Sequence, residues 1–301
     1  MIDSKLYTLL KVHETGSFTR AAEQLSLTQP AVSHHIKQLE GELGVKLFYR
    51  SEAGLRPTAE GEIVLKYARR LQALREQLSR ELKDEHRRIT RLTVGVTHTA
   101  ESNFIAEALA EYCAAHEGVS IKIITDTINN LYDKLRNYEL DLAMIDGAAP
   151  KDEFRSVLLD TDFLVLAVSN NNPLALRSSV TLRDIKKERM ILRLPTSATR
   201  NLFVSHLESR NMSIDEFHVV LEVDNIATIK DLIRRDFGVS ILPKSVCLDE
   251  LKKKKITVLP IENLSMIRET NMVYRPDFEH VEILKDIAAA YNETGKLYKT
   301  S

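Results

Sequence analysis

Residues 17–50, SFTRAAEQLSLTQPAVSHHIKQLEGELGVKLFYR, constrain the fold more than any other stretch of the chain. Wound as a helix at about 100° per residue, residues 28–43 place their large apolar side chains in one narrow stripe, formed by Val32, Ile36, Leu39 and Leu43. The opposite face carries Pro30, Ser33, His34 and Lys37, with no acidic residue among them. Such a helix packs on a small core through one face and leaves a face that suits the major groove of DNA.

The residues around this helix predict a helix-turn-helix. Ser17 and Thr28 are both good N-cap residues, and the short break SLT separates the two helices that they would begin. Pro30 falls in the first turn of the second helix, where its missing N–H costs nothing. The alternative is a helical pair packed inside a larger α-helical domain, but the apolar-free outer face disfavours it.

The segment after Leu43 predicts a wing. In VKLFYRSEAGLRPT, two short extended pieces flank SEAG, which has the composition of a hairpin tip. Arg50 and Arg56 lie on its two sides, within reach of phosphates or the minor groove if this hairpin meets DNA. A hairpin that is simply solvated remains the alternative.

The run AAEQLSLTQPAVSHHIKQLEGELGVKLFYR resembles the DNA-binding signature of LysR-type transcriptional regulators almost position for position. The resemblance implies a winged helix-turn-helix that binds double-stranded promoter DNA, with RNA polymerase as a further partner. The candidate DNA-binding residues are Gln29, Pro30, Ser33, His34, Lys37, Arg50 and Arg56.

A long amphipathic helix is predicted next, capped by Thr58. Its apolar residues follow steps of three and four, the spacing of a coiled-coil seam: Val64, Tyr67, Leu71, Leu74, Leu78 and Leu82. Because no core is nearby in sequence to cover this seam, a partner chain should. The family resemblance implies the same, a linker helix that pairs antiparallel with its twin in a homodimer or homotetramer.

Beyond residue 88 strand-like and helical segments alternate, which predicts an α/β fold with largely parallel sheets. This part resembles the two-lobed effector domain of the same family, similar to periplasmic solute-binding proteins. The expected fold is therefore α+β and multidomain. Its predicted parts are a DNA-binding domain at 1–58, a linker helix at 59–88 and a regulatory domain at 89–301, with lobe I at 91–161 and 266–301 and lobe II at 162–265.

Polar side chains that follow the predicted strands are the candidates for binding an effector between the lobes. They are Thr97, His98, Thr99, Ser102, Thr127, Asp146, Arg193, Thr196, Thr199 and Ser240. Hydroxyls and helix-start N–H groups there favour a small anionic metabolite. Each hydroxyl could instead cap its own helix. Pro195 and Ala198 stand near positions where many family members have glycine, which leaves the effector class open.

Composition narrows the remaining classes. A formal net charge of −1 over 301 residues means that DNA affinity must come from local placement of basic residues, not from bulk charge. No apolar run is long enough to cross a bilayer and no signal peptide is evident, so we expect a cytoplasmic protein. The sequence shows no catalytic motif, and Cys113 and Cys247 lack metal-ligand spacing, so neither enzymatic activity nor a cofactor or metal is expected.

Overall fold

The computed structural model describes residues 4–51, 54–85, 90–102 and 104–299. The chain divides into two compact units, the first made of residues 1–90 and 136–139 and the second of residues 91–135 and 140–301. The first unit contains helices α1 (Ser4–Thr15), α2 (Phe18–Leu25) and α3 (Gln29–Leu43), strands β1 (Phe48–Ser51) and β2 (Gly54–Pro57), and helix α4 (Ala59–Glu85).

The predicted caps set the ends of the helix-turn-helix. The Ser17 hydroxyl accepts a hydrogen bond from the Arg20 amide at 3.4 Å, and the Thr28 hydroxyl accepts one from the Ala31 amide at 3.3 Å. Each bond satisfies an amide that has no partner within its own helix. At the other end of α3, Gly44 adopts a left-handed conformation with φ +68, which stops the helix.

The predicted apolar stripe of α3 is largely confirmed in the core of the first unit. That core consists of Leu9, Val12, Ala21, Ala22, Val32, Ile36, Leu39, Leu47, Leu65 and Ala68. Leu43 is a correction, since 48% of it is exposed. It is the last residue of α3, and the chain turns away at Gly44 before Leu43 reaches the core.

The start of α4 is held against the core by a close backbone approach. A Cβ on Gly61 would lie 2.1 Å from the Leu47 carbonyl oxygen, so a glycine is required there. The Thr58 hydroxyl accepts from the Gly61 amide at 2.9 Å and donates to the Lys46 carbonyl at 2.5 Å. The wing is an antiparallel pair of β1 and β2; Glu52 and Ala53 of its predicted tip lie outside the described residues.

The second unit is built from alternating strands and helices. In chain order they are β3 (Thr90–Thr97), α5 (His98–Glu101), α6 (Ile105–Ala115), β4 (Val119–Asp126), α7 (Ile128–Arg136), β5 (Leu142–Asp146), β6 (Arg155–Ser169), α8 (Leu182–Ile185), β7 (Met190–Leu192), α9 (Ala198–Glu208), β8 (Val219–Glu222), α10 (Ile226–Arg234), β9 (Ser240–Pro243), α11 (Leu248–Lys252), β10 (Ile256–Leu259), β11 (Ile267–Tyr274) and α12 (Val281–Lys299). Short 3₁₀ helices occupy Pro173–Leu176, Ile214–Glu216 and Ser245–Cys247.

Two lobes share the long strand β6. Its first half pairs with β11 in a sheet of order β4-β3-β5-β11-β6, which is lobe I, and its second half pairs with β9 and β10 in lobe II. In lobe I, Leu142 and Met144 of β5 pack in one apolar cluster, while the alternate residues Ala143 and Ile145 pack in another. This strand is buried on both faces because helices cover both sides of the sheet.

The expectation of largely parallel sheets is wrong in detail. β3 pairs parallel with β5, and β7 pairs parallel with β8. However, β11 is antiparallel to both β5 and β6, and β6 is antiparallel to β9 and β10. The chain returns from lobe II through β11, so this strand enters the lobe I sheet from the opposite end. Among the described helices, none combines the length and apolar character that crossing a membrane requires.

Candidate DNA-contacting surface and effector cleft

The outer face of α3 presents polar groups to solvent. Gln29, Pro30, His34 and Lys37 are exposed, and Ser33 is half-buried. The Gln29 side-chain amide donates to the Ser33 hydroxyl at 2.8 Å, which orders two of the predicted DNA-binding side chains along one helix turn. In the part of the chain that the structure describes, no acidic side chain pairs with Lys37. Its charge is therefore available to a phosphate group.

The register of the wing separates its two arginines. Arg50 lies opposite Leu55, and Tyr49 lies opposite Arg56. Residues directly opposite in an antiparallel pair share a face, and neighbouring residues on one strand alternate. Arg50 and Arg56 therefore point to opposite faces of the wing. Arg50 shares its face with Leu55, which packs against the core of the first unit.

The predicted seam of α4 divides into two parts. Val64 packs against the core of the first unit, beside Leu65 and Ala68, whose role in that core the heptad spacing did not indicate. The rest of the seam is exposed to between 40% and 62% of each residue: Tyr67, Leu71, Leu74, Leu78 and Leu82. An exposed apolar stripe of this length along a polar helix is typical of a protein–protein interface.

A cavity of about 70 Å³ lies where the two lobes face each other. Its lining consists of Thr97, His98, Thr99, Asp126, Thr127, Ile128, Asp146, Arg193, Thr196, Ser197, Ala198 and Asp224. Seven of the ten predicted effector residues are in this set. Parallel β3 and β5 end side by side, which brings Thr97 and Asp146 together as the order of strands and helices predicted.

The lobe I wall is held by its own hydrogen bonds. The Thr97 hydroxyl accepts from the Ala100 amide at 3.3 Å and donates to Asp146 Oδ2 at 2.7 Å. Asp126, at the end of β4, accepts from the Thr127 amide at 2.8 Å and from Asn130 Nδ2 at 2.6 Å. The capping role that the sequence left open as an alternative is thus real for Thr97.

The lobe II wall carries a buried arginine and an unpaired hydroxyl. Arg193 Nη2 donates to Asp224 Oδ1 at 3.0 Å, and Arg193 Nη1 donates across the cleft to the Thr99 hydroxyl at 3.5 Å. Burial lowers the pKa of Arg193, and Asp224 opposes that shift. Ser197 precedes the first turn of α9, is buried, and makes no hydrogen bond through its hydroxyl in the described structure.

Three predicted residues do not line the cavity. Ser102 is half-buried and donates to the His98 carbonyl at 3.2 Å, so its hydroxyl closes a turn of its own helix. Ser240 is fully buried in β9. Thr199 is buried behind the lining and accepts from Arg268 Nη1 at 3.5 Å.

Sequence reasoning missed Arg268. It lies on β11, is buried, and forms an ion pair with Asp146 from behind the cavity wall. Its long bond to Thr199 connects the returning strand to the first turn of α9. Asp126 and Asp224 were also missed; the position of Asp126 directly before the predicted Thr127 was a usable signal, whereas Arg268 has no local pattern that singles it out.

Comparison with known families decides the class of protein. The family described as "Bacterial regulatory helix-turn-helix protein, lysR family" matches residues 4–62. The family described as "LysR substrate binding domain" matches residues 86–294. The chain belongs to the LysR family. This LysR-family protein is therefore a DNA-binding transcriptional regulator with a C-terminal effector-binding domain, as the sequence resemblance implied.

The relatives of this LysR-family chain are distant but extend over most of its length. The HTH-type transcriptional regulator CysL of Bacillus subtilis (strain 168) is 26% identical and aligns over 92% of both chains. A probable RuBisCO transcriptional regulator of Thalassiosira pseudonana is 28% identical over 87% of both. Agreement over nearly the whole chain means that the relatives share both units.

Solved structures show the same fold. Full-length CbnR complexed with its target DNA has a TM-score of 0.71 at 18% identity, and covers 97% of this chain and 99% of that one. The effector-binding domain of QuiR in complex with shikimate has a TM-score of 0.56 at 20% identity, over 69% of this chain and 98% of that domain. At these identities the likeness concerns the fold alone.

Proposed function

We propose that this LysR-family regulator recognises a short, imperfectly palindromic promoter site as a dimer of recognition helices, within a homodimer or homotetramer. In this proposal a small metabolite carrying an anionic group binds between the lobes and controls promoter binding. The observation that supports effector control best is the cavity itself, where the free Ser197 hydroxyl and the first turn of α9 face Thr99 of the other lobe.

On DNA, α3 enters the major groove and the wing lies along the backbone. Ser33 and His34 read base edges, since they occupy the outer face of the helix. Lys37 and Arg50 contact phosphates, which supply affinity but little sequence information. A single domain of this size makes few contacts, so a symmetric pair of domains is needed for a tight site.

The partner of α4 is a second copy of the chain. Its exposed stripe of Tyr67, Leu71, Leu74, Leu78 and Leu82 is self-complementary when two such helices run antiparallel. RNA polymerase is the further partner on the promoter. We place the protein in the cytoplasm and assign it no enzymatic activity, cofactor or resident metal.

In the cleft, the effector's anionic group accepts from the amides at the start of α9 and from Ser197, while Thr99 and Thr127 bind it from lobe I. Helix-start amides favour negative charge. A ligand that contacts both lobes stabilises the arrangement in which they are closed around it. Coupling of that arrangement to the oligomer changes the spacing of the DNA-binding pairs, and hence promoter affinity.

The test begins with a thermal-shift screen of small carboxylates and oxyanions on the full chain, followed by DNA-binding titrations with each compound that raises the melting temperature. Thr99→Val is nearly isosteric but lacks the hydroxyl. It should leave DNA binding intact while abolishing the compound's effect on it. Ser102→Ala, a hydroxyl removed outside the cavity, is the control and should respond as the unmodified protein does.

Two results contradict this proposal. If Thr99→Val still responds normally to the compound, the cavity is not the sensor. If the full chain is a monomer in solution and footprints a single isolated half-site, the dimeric recognition is wrong. Both measurements are made on the full chain.

A further inference from the structure

The charges around the cavity do not suit a simple anion. Three carboxylates line it, from Asp126, Asp146 and Asp224, against the single guanidinium of Arg193. Arg268 neutralises Asp146 from behind, and Asp224 neutralises Arg193 at 3.0 Å. Every arginine in contact with the cavity wall is therefore already paired with an acid. Among the described residues of the wall, an incoming anion finds no cation without an acidic partner, although the Nε atoms of both arginines are buried without a hydrogen-bond partner. Asp126 has the longest ion pair of the three acids, to Lys134 at 3.6 Å, and Lys134 does not line the cavity.

Asp126 is a full negative charge at neutral pH. Burial alone would raise its pKa, but the hydrogen bonds from Asn130 and the Thr127 amide, together with the charge of Lys134, lower it below the usual value. Two of its donors are neutral, and its ion pair with Lys134 is long, at 3.6 Å between Nζ and Oδ2, which leaves Oδ2 open to a closer cation. Asp224 adds a second partly available carboxylate, because half of its side chain is exposed and only Oδ1 is engaged by Arg193.

The opposite wall provides the complementary end. Ser197 stands at the start of α9, an eleven-residue helix, and its buried hydroxyl is without a partner. The first-turn amides of α9 have no acceptors within the helix. These groups donate hydrogen bonds to an acidic group without contributing a formal charge.

We propose that the effector is a zwitterion, an amino acid or a compound with the same two ends. Its ammonium group binds between Asp126 and Asp224, and its carboxylate binds at Ser197 and the first turn of α9. This assignment rests on the proposed function of the cleft and names the ligand class for it. The small cavity, about 70 Å³, restricts the ligand to few atoms between the two charged ends.

The experiment compares matched compounds on the full chain. Each of the standard amino acids is tested by thermal shift and calorimetry beside its deaminated acid and its decarboxylated amine. At least one amino acid should bind, and both of its truncated analogues should bind at least about tenfold more weakly, since each loses one charged contact.

Asp126→Asn is the decisive variant. Asparagine keeps an oxygen that can accept from the Thr127 amide and from Asn130, so the start of α7 retains its hydrogen bonds while the charge is removed. This variant should weaken the amino acid about tenfold and leave its deaminated acid unchanged. Asp152→Asn, the same substitution at an exposed turn outside the cavity, should change neither.

The outcomes separate this inference from the proposed function. If a deaminated acid or an oxyanion such as sulfate binds as tightly as any amino acid, the effector is a plain anion; the cleft then keeps its role and the zwitterion is refuted. If an amine alone binds equally well, the carboxylate end at Ser197 is wrong. If no compound of the three classes binds at millimolar concentration, the zwitterion and the effector part of the proposed function both fail, while promoter recognition by α3 is decided by the footprinting alone.

Discussion

The recognition face of α3 and the cleft of the second unit differ in whether their basic side chains are paired with acids. On α3, Lys37 is exposed and has no acidic partner among the described residues. In the cleft, Arg193 and Arg268 are buried, and each is bonded to an acid and to a threonine hydroxyl. The phosphates of DNA carry the negative charge that pairs with Lys37, so this lysine can stay hydrated and unpaired before DNA binds. Buried charges must be paired within the protein before any ligand binds.

The largest test of this contrast removes the charge of Arg268. Arg268→Met leaves Asp146 as a buried carboxylate without its ion pair, and losing one partner of such a pair destabilises by roughly 3–5 kcal/mol. We expect a loss of that size in the free energy of unfolding of the second unit, measured by urea denaturation. DNA affinity, measured well below the transition, should be retained because the DNA-contacting residues belong to the first unit.

Arg155→Met is the matched control, because Arg155 begins β6 at an exposed position. Its substitution should cost less than about 0.5 kcal/mol, the usual range for surface changes. A similar loss in both variants would mean that the Arg268 pair is not a special structural element. The contrast between the two surfaces would then fail for the cleft.

The next test separates the residues proposed to read bases from those proposed to contact phosphates. Ser33→Ala and His34→Ala should reduce discrimination between base pairs by about 1–3 kcal/mol each at the positions that they read. Arg50→Ala should instead weaken binding to all sequences alike and reduce the slope of log K against log salt by about one unit. The measurement is a set of salt titrations on a site selected from random DNA and on single-base variants of it.

Lys37→Ala should behave like Arg50→Ala, because both positions are assigned to phosphates. Arg56→Ala gives the internal comparison, since Arg56 points to the face of the wing opposite to Arg50. A change in base preference at one position in Arg50→Ala would refute its assignment. Equal effects of Arg50→Ala and Arg56→Ala would show that both faces of the wing meet DNA.

The two regions also differ in how far the sequence predicted them. The caps at Ser17 and Thr28 and the stripe of Val32, Ile36 and Leu39 depend on residues within a few positions of one another, so the helix-turn-helix was predictable and is confirmed. Arg268 meets Asp146 across 122 positions, and no periodicity in the sequence encodes that pairing.

Residues at the ends of the strands were predictable only in part. Thr97, Asp146 and Arg193 were predictable because side chains that follow neighbouring strands converge. The same reasoning included Ser240, which begins β9 and does not follow a strand, because the boundary of that strand was not fixed by the sequence. The antiparallel course of β11 was missed for a related reason, since the direction of a returning strand depends on where the chain crosses between lobes.

The smallest expected effect concerns the two cysteines. They test whether the buried thiols of the second unit only pack in its core or also take part in regulation. Cys247 is fully buried, and burial raises the pKa of its thiol to about 12, with Lys230 opposing that shift. Cys113 is half-buried on α6 in lobe I, whereas Cys247 follows β9 in lobe II. A thiol with so high a pKa is almost entirely protonated at pH 8, so Cys247 should be almost inert.

A thiol-specific chromogenic reagent should therefore titrate at most one group quickly in the native protein, Cys113, and two in guanidinium. Replacing both residues, as Cys113→Ser with Cys247→Ala, should leave effector-dependent DNA binding unchanged, because no disulfide between the lobes takes part in regulation. Alanine avoids the unpaired hydroxyl that serine would place in the core. Rapid reaction of both native thiols would contradict the burial of Cys247. A peroxide response of promoter binding that disappears in the double variant would show a redox sensor in this region.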